Sequence, residues 1–303
     1  MRENWNVIPT PQLSMWRPPR MITLRNLSHE RASISSQLIM QIIGSFPLMM
    51  LRPETLPPFI HPKMVQFQTA PAGVRSNGIL NTCIALCRMF TSRTLGSSEL
   101  LWWSVRMETD RLLINAPDAS EQDLLETVQA LVIYIIMKYL GGDLDKHEFD
   151  IQLLHALKIC GNRLADHSPY SDIVHSAMSG ESNDFYRWMY MESKRRTLLM
   201  ARILNIPIDL DYCIVCAPFE GFVLFPLPAK KVLWDATSTG QWQTDIRGEY
   251  QKRETYGVAT SGKLIKMYCH VDSVKADEVD WKAWVGTTDS LGTLTMVAAS
   301  LLQ

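Results

Sequence analysis

The sequence lacks an excess of charge of either sign, since 30 basic residues face 31 acidic ones and the net charge is -1. No broad positive field is available to draw in the phosphate backbone of nucleic acid. Long apolar runs are also missing. The most apolar stretch, Thr127 to Met137, lies between acidic Asp123 and Glu126 on one side and Lys138 on the other. It falls short of the roughly 18 to 20 residues that cross a bilayer, so it reads as a buried helix. Met1 to Arg20 carries Pro9, Pro11, Pro18 and Pro19 without a compact hydrophobic segment, which does not fit a secretory signal. An intracellular protein is expected.

The six cysteines, Cys83, Cys87, Cys160, Cys213, Cys216 and Cys269, are spread over most of the chain. They form neither a dense disulfide framework nor the compact basic cluster in which six thiolates share two zinc ions. No nucleophile elbow, zinc-protease helix or dinucleotide fingerprint occurs, so no catalytic residue is nominated. No cofactor is expected either.

What is present is a composition of 47% hydrophobic and 20% charged residues over 303 positions, enough for a substantial core. Residues 1–34 read as a flexible, proline-containing lead-in and 35–303 as the folded body. Helices are expected from Ser35 or Ser36 to Pro47, from about Asn77 to Phe90 and from Ser97 or Ser98. Another is expected from Ser120 to Gly141 and Gly142, then about Phe149 to Leu164, Asn183 to Leu204 and Thr288 to Leu302. Each has apolar residues at three- and four-residue spacing, and several begin after a hydroxyl residue that can cap free amides. Leu264 to Val271 is the best strand candidate in a chain otherwise read as all-α, with few or no strands.

Four local patterns carry possible chemistry. Gly257 to Lys263 has the spacing of a phosphate-binding loop but ends in Leu264, which has no magnesium-binding hydroxyl, and no apolar strand precedes it. A glycine turn is the better reading. Asp143, Asp145, His147, Glu148 and Asp150 are rich in cation ligands, but Glu148 stands where a calcium loop needs glycine, so an acidic helix start is expected. Cys213 and Cys216, with Cys269 and His270 far along the chain, do not make a convincing metal site, and free buried thiols are expected. Lys194, Arg195 and Arg196 lie inside a helix beside Glu192, which favours a structural role over nuclear import or DNA contact.

The ordered series of remaining segments resembles the regulatory region of fungal zinc-cluster transcription factors, especially those that control secondary-metabolite gene clusters. It runs through Phe46-Pro-Leu-Met-Met-Leu-Arg52, Pro57-Pro-Phe-Ile-His-Pro62, Val128-Gln-Ala-Leu-Val-Ile-Tyr134 and Asp150-Ile-Gln-Leu-Leu154. Trp188 to Thr197 then resembles that family's tryptophan followed by glutamate, serine and paired basic residues. Leu224-Phe-Pro-Leu-Pro228, Leu233-Trp-Asp-Ala236, Trp242, Asp280-Trp-Lys-Ala-Trp284 and Asp289-Ser-Leu-Gly292 complete the order. The motif residues are thus Trp188, Glu192, Arg195, Arg196, Pro226, Pro228, Trp234, Trp242, Trp281, Asp289 and Gly292. Physically they read as packing: Glu192 can pair with Arg195 or Arg196 along a helix, and the tryptophans cover core.

The resemblance implies a nuclear transcription regulator that contacts other proteins, with a full-length zinc-cluster factor as the natural partner and a small-molecule effector admitted. Because the zinc cluster is missing from these residues, no sequence-specific DNA binding of their own is expected, and no membrane association. The alternatives are a small-molecule-binding protein or unrecognised enzyme of the same pathway, or an inactive truncated paralogue.

Overall fold

A computed structural model describes residues 22–24, 30–65, 78–141, 147–166, 185–208, 221–250, 254–270 and 273–302. The helices are α1 (Glu30–Gly44), α2 (Phe46–Met49), α3 (Ile79–Thr91), α4 (Ser98–Asn115), α5 (Glu121–Gly141), α6 (His147–Asp166) and α7 (Phe185–Asn205). After strand β1 (Phe222–Leu224) come α8 (Lys231–Trp234) and α9 (Thr239–Tyr250). Strands β2 (Glu254–Ala259), β3 (Leu264–His270) and β4 (Ser273–Glu278) precede α10 (Trp281–Val285) and α11 (Ser290–Ala299).

The fold is organised around α5. Every residue from Val128 to Met137 is fully buried, including Gln129, because α1, α2, α3, α4, α6 and α7 pack around this helix. A surface helix needs an apolar stripe, whereas a central helix needs apolar residues on all sides. The helix is therefore 21 residues long and apolar enough by length and composition to cross a membrane, but 78% of its most apolar window is buried inside this protein. At its start Ser120 Oγ accepts from the Asp123 amide at 3.1 Å and donates to Asp123 Oδ2 at 2.7 Å, which satisfies one free donor of the first turn.

Several boundaries differ from expectation. Helix α1 starts at Glu30, so Ser35 and Ser36 lie inside it, and it ends at Gly44 before Pro47 is reached. Pro47 instead opens the short α2, where its missing N–H costs nothing. Ser97 stands at the N-cap of α4, yet its hydroxyl turns outward and accepts from the Thr94 amide at 2.9 Å. The helix of Ser120 does end at Gly141, as expected; a Cβ there would lie 2.4 Å from Trp102 Cζ2, so the glycine also allows the close approach of the indole.

The expectation of few or no strands is corrected by a four-stranded antiparallel sheet in the order β1-β2-β3-β4. Leu264 to Val271 did mark β3, but its neighbours are short and weakly β-forming: β2 contains Gly257, and β4 reads Ser-Val-Lys-Ala-Asp-Glu. Phosphate-loop spacing from Gly257 to Lys263 belongs to the β2–β3 hairpin, where Gly262 adopts φ +75° and Ala259 and Lys263 close the turn. Gly257 is required for another reason. Its missing Cβ would sit 2.6 Å from both the Phe222 and the Phe225 rings. The body is thus mostly helical with one small sheet.

Gly141→Ala is expected to destabilise the protein by about 1–3 kcal/mol through overpacking against Trp102, more than the ~1 kcal/mol that alanine gains over glycine in a helix. Denaturant midpoints of the two proteins decide it, and an equal or higher midpoint for the variant would refute the packing role.

Candidate functional site

The motif residues on α7 sit where the first, middle and last parts of the described chain meet. Glu192 and Arg196 are one helical turn apart, and Arg196 Nε donates to Glu192 Oε1 at 2.8 Å. Arg195 Nη1 reaches the other carboxylate oxygen, Oε2, at 3.3 Å. The helix alone supplies these two pairs, since three- and four-residue spacing places the side chains on one face. Tertiary packing supplies the rest.

Arg196 is completely buried. Its Nη1 donates to the Pro58 carbonyl at 3.0 Å and also to Asp289 Oδ2, while Nη2 donates to the Ala229 carbonyl at 3.3 Å. The Trp234 ring covers the guanidinium, with Cζ 4.0 Å from the ring centroid, an arrangement that a planar, weakly hydrated cation favours. Glu192 Oε1 also accepts from the Ala229 amide at 2.8 Å, so both backbone groups of Ala229 are held by α7. Asp289 divides its carboxylate: Oδ1 caps α11 by accepting from Leu291 at 3.0 Å, and Oδ2 faces Arg196. Gly292 lies in the first turn of that helix, where a Cβ would collide with Thr288 Oγ1.

A second layer supports the first. His61 Nδ1 accepts from the Lys63 amide at 3.2 Å, which leaves the ring proton on Nε2 to donate to the Trp234 carbonyl, also at 3.2 Å. Its ring meets the Trp234 indole edge-on at 4.8 Å. Burial, aided by the nearby cations of Lys63 and Arg196, lowers the His61 pKa to about 4, although the Trp234 bond opposes the shift. Gln129 of α5 donates to the Phe59 carbonyl at 2.9 Å and to Thr197 Oγ1 at 3.1 Å, fixing the Pro57–Pro62 segment from beneath.

The structure thus brings together Glu192, Arg195, Arg196, Trp234 and Asp289, with Gly292 one turn away. Pro226 and Pro228 are buried in the segment that carries Ala229 past α7, and the Phe225–Pro226 peptide is cis. Trp188 and Trp242 lie apart in a smaller core with Phe185, Met189, Leu233, Ala236 and Ile246, their ring centroids 5.8 Å apart. Trp281 is separate again, set edge-on to Trp284 at 5.8 Å on α10. Sequence reasoning missed Pro58, His61, Gln129 and Ala229 as members of the network. All four make their contacts through backbone carbonyls or amides, their own or a partner's, which leave no trace in residue identity.

The charged groups gathered here bind one another. The carboxylates of Glu192 and Asp289 are engaged by Arg196. The Lys194–Arg196 run is packed into protein, with Lys194 and Arg196 fully buried, so it is not displayed for an import receptor. Asp150 from the acidic cluster sits 3.6 Å from Lys138 and accepts from the Ile22 amide at 3.2 Å, while Asp143 and Asp145 lie outside the described residues. Cys213 and Cys216 also lie outside them, as do the side chains of Cys269 and His270. Among the described residues no three histidine, cysteine or acidic side chains converge as metal ligands. Cys83, Cys87 and Cys160 are buried free thiols, and burial pushes the Cys83 and Cys160 pKa values up, that of Cys160 to about 11.

Fold and site together define a mainly helical protein whose distant segments are locked by a buried ion network. Over 250 residues the chain is 26% identical to transcription factor gsfR2 of Penicillium aethiopicum, an alignment covering 79% of this chain and 53% of that protein. The chain therefore spans about half the length of the curated relative it matches. No family profile and no solved structure matches it.

Arg196→Met should cost about 3–5 kcal/mol, because Glu192 and Asp289 are left buried without their cation. Arg196→Lys should recover only part, since an ammonium cannot span Pro58, Ala229 and both carboxylates. A loss below about 1 kcal/mol in urea unfolding of Arg196→Met would show the network to be dispensable.

His61 gives a pH signature. Its folded pKa lies below the unfolded value near 6.5, so above that pH it is neutral in both states and contributes no slope. As pH falls toward about 4 the unfolded chain binds the proton first, and stability drops by on the order of 3 kcal/mol before levelling off. In His61→Gln this part of the slope should vanish. Paired denaturation curves at pH 7 and pH 5 that show the same pH loss in both proteins would overturn the assignment.

Proposed function

We propose that this chain is a transcription-regulatory protein that controls a fungal secondary-metabolite gene cluster from the nucleus, without enzymatic activity. The observation that carries this reading is its alignment with a fungal transcription factor over 250 residues. The motif series gives it physical content: residues from Pro58 to Asp289 that share no local structure are tied to one arginine, as a body built to hold shape requires.

These 303 residues act through protein contacts rather than by reading bases. They carry a near-neutral charge, and their largest basic run is committed to the core. The natural partner is a full-length zinc-cluster factor. A small effector is the second reading, favoured by a hollow of about 570 Å³ between α1 and the end of α5, lined by Gln37, Met40, Gln41, Gly44, Ser45, Tyr139 and Leu140. A ligand thermal-shift screen addresses it.

Deleting the gene in its fungal host should change transcripts of neighbouring biosynthetic genes, and a fluorescently tagged protein should collect in the nucleus. Unaltered transcripts together with a cytoplasmic protein would refute the regulatory reading. In a DNA titration at physiological salt the purified chain should show no sequence preference. Specific binding about a thousandfold tighter than to random DNA, the lower range for true sequence readers, would refute the contact-only mode.

A further inference from the structure

Where helices α3 and α5 pack together, a group of soft ligands meets in the core. Cys83 and Cys87 stand one turn apart on α3, Tyr134 and Met137 one turn apart on α5, and all four residues are fully buried. Cys87 Sγ donates to Met137 Sδ at 3.9 Å, and the Cys83 thiol lies close enough to that of Cys87 for the two to interact. Thiols and thioethers in a core need no explanation beyond packing. The phenol does. A buried tyrosine hydroxyl usually finds a partner, yet that of Tyr134 has none. The group beside it is the Cys83 sulfur, a weak acceptor as a thiol and a strong one as a thiolate.

From this geometry we infer that Cys83, Cys87 and Met137 form a site for one Cu(I) ion, held between their three sulfurs. Sulfurs arranged in a triangle around one ion at a metal–thiolate bond length of about 2.3 Å stand about 4 Å apart. Cys87 and Met137 already show that spacing. Thiolate and thioether ligands together select a soft cation. Zinc does not fit, because a structural zinc site is closed by a fourth ligand. Glu108, the carboxylate whose charge acts on Cys83, is committed to Arg111 at 2.6 Å. Met137 supplies the third ligand that no histidine or carboxylate supplies among the described residues.

The exchange balances in atoms and charge. Cu(I) enters, the S–H proton of Cys83 leaves to water, and a sulfur–copper bond takes the place of the S–H bond with no change of oxidation state. One monovalent cation replaces another, so no net charge is added to an apolar core. The Cys83 thiolate then accepts the hydrogen bond that Tyr134 has to give, and Cys87 and Met137 complete the triangle. Because every ligand is buried, the ion enters through local opening of the helices or as the chain folds. This inference rests on α3 and α5 alone and stands whether or not the regulatory reading holds.

The test is an anaerobic titration of the reduced full chain with Cu(I) against bicinchoninate, a chelator whose copper complex is coloured. The chain should withdraw copper from the chelator, and X-ray absorption should show sulfur neighbours at about 2.3 Å. Replacing both cysteines, Cys83→Ala with Cys87→Ala, should remove one copper per chain. Two gentler variants keep the core filled: Met137→Leu, which conserves volume, and Tyr134→Phe, which removes only the hydroxyl. Each should weaken the site about tenfold or more, the usual cost of losing a ligand or the group that orients one, while the circular dichroism spectrum is unchanged. A wild type that takes no copper overturns the inference. So does uptake undiminished by the paired cysteine replacement, which places the ion at other thiols, or an affinity unmoved by both Met137→Leu and Tyr134→Phe.

Discussion

One guanidinium holds the architecture together. Arg196 lies in the middle of α7 with no exposed surface, and most of its partners come from elsewhere: a carbonyl at Pro58, a carbonyl at Ala229, the Trp234 ring and the Asp289 carboxylate. Only Glu192 shares its helix. A charge removed from water at this depth is tolerable only if its donors are satisfied and a counter-charge lies close. That requirement fixes the chain on every side of α7. The proline segment must present Pro58, the β1–α8 connection must present Ala229, and the last helix must begin at Asp289.

Apolar side chains of equal volume would hold these segments at least as firmly, since a buried ion pair adds little net stability over a well-packed core. The network adds direction instead. A hydrophobic contact tolerates sliding, whereas five planar donors in a fixed fork accept only one arrangement of acceptors. Trp234 illustrates the coupling. Its ring covers Arg196, its carbonyl receives the His61 proton, and its place on α8 depends on the Ala229 backbone held by α7. A disturbance in any one segment is felt in the others, which suits a body that relays contacts rather than one that reshapes a substrate.

The open face of α4 follows the opposite logic. Packing on α3, α5 and α6 uses up one side of that helix, and nothing in the described chain covers the other. Arg196 gathers the chain inward; Leu100, Trp103 and Met107 turn apolar surface outward.

The sequence by itself determined the helices, because three- and four-residue periodicity is written in residue identity. That is why α3, α6 and α7 fall within a few residues of their expected limits. It also determined the Glu192 pairs, which need only helical spacing. It placed the helix end at Gly141 without foreseeing the Trp102 indole against it, misjudged Ser97, whose hydroxyl takes the Thr94 amide, and found one strand of four, because β2 and β4 owe their pairing to neighbours rather than to propensity. Only tertiary structure decided that Arg196, more than ninety residues before Asp289, would meet it, or that His61 would share a tryptophan with that arginine. The physical reason is the range of the information: local pattern encodes which face of a helix is apolar, but backbone carbonyls and distant carboxylates become partners only when packing brings them within hydrogen-bond reach.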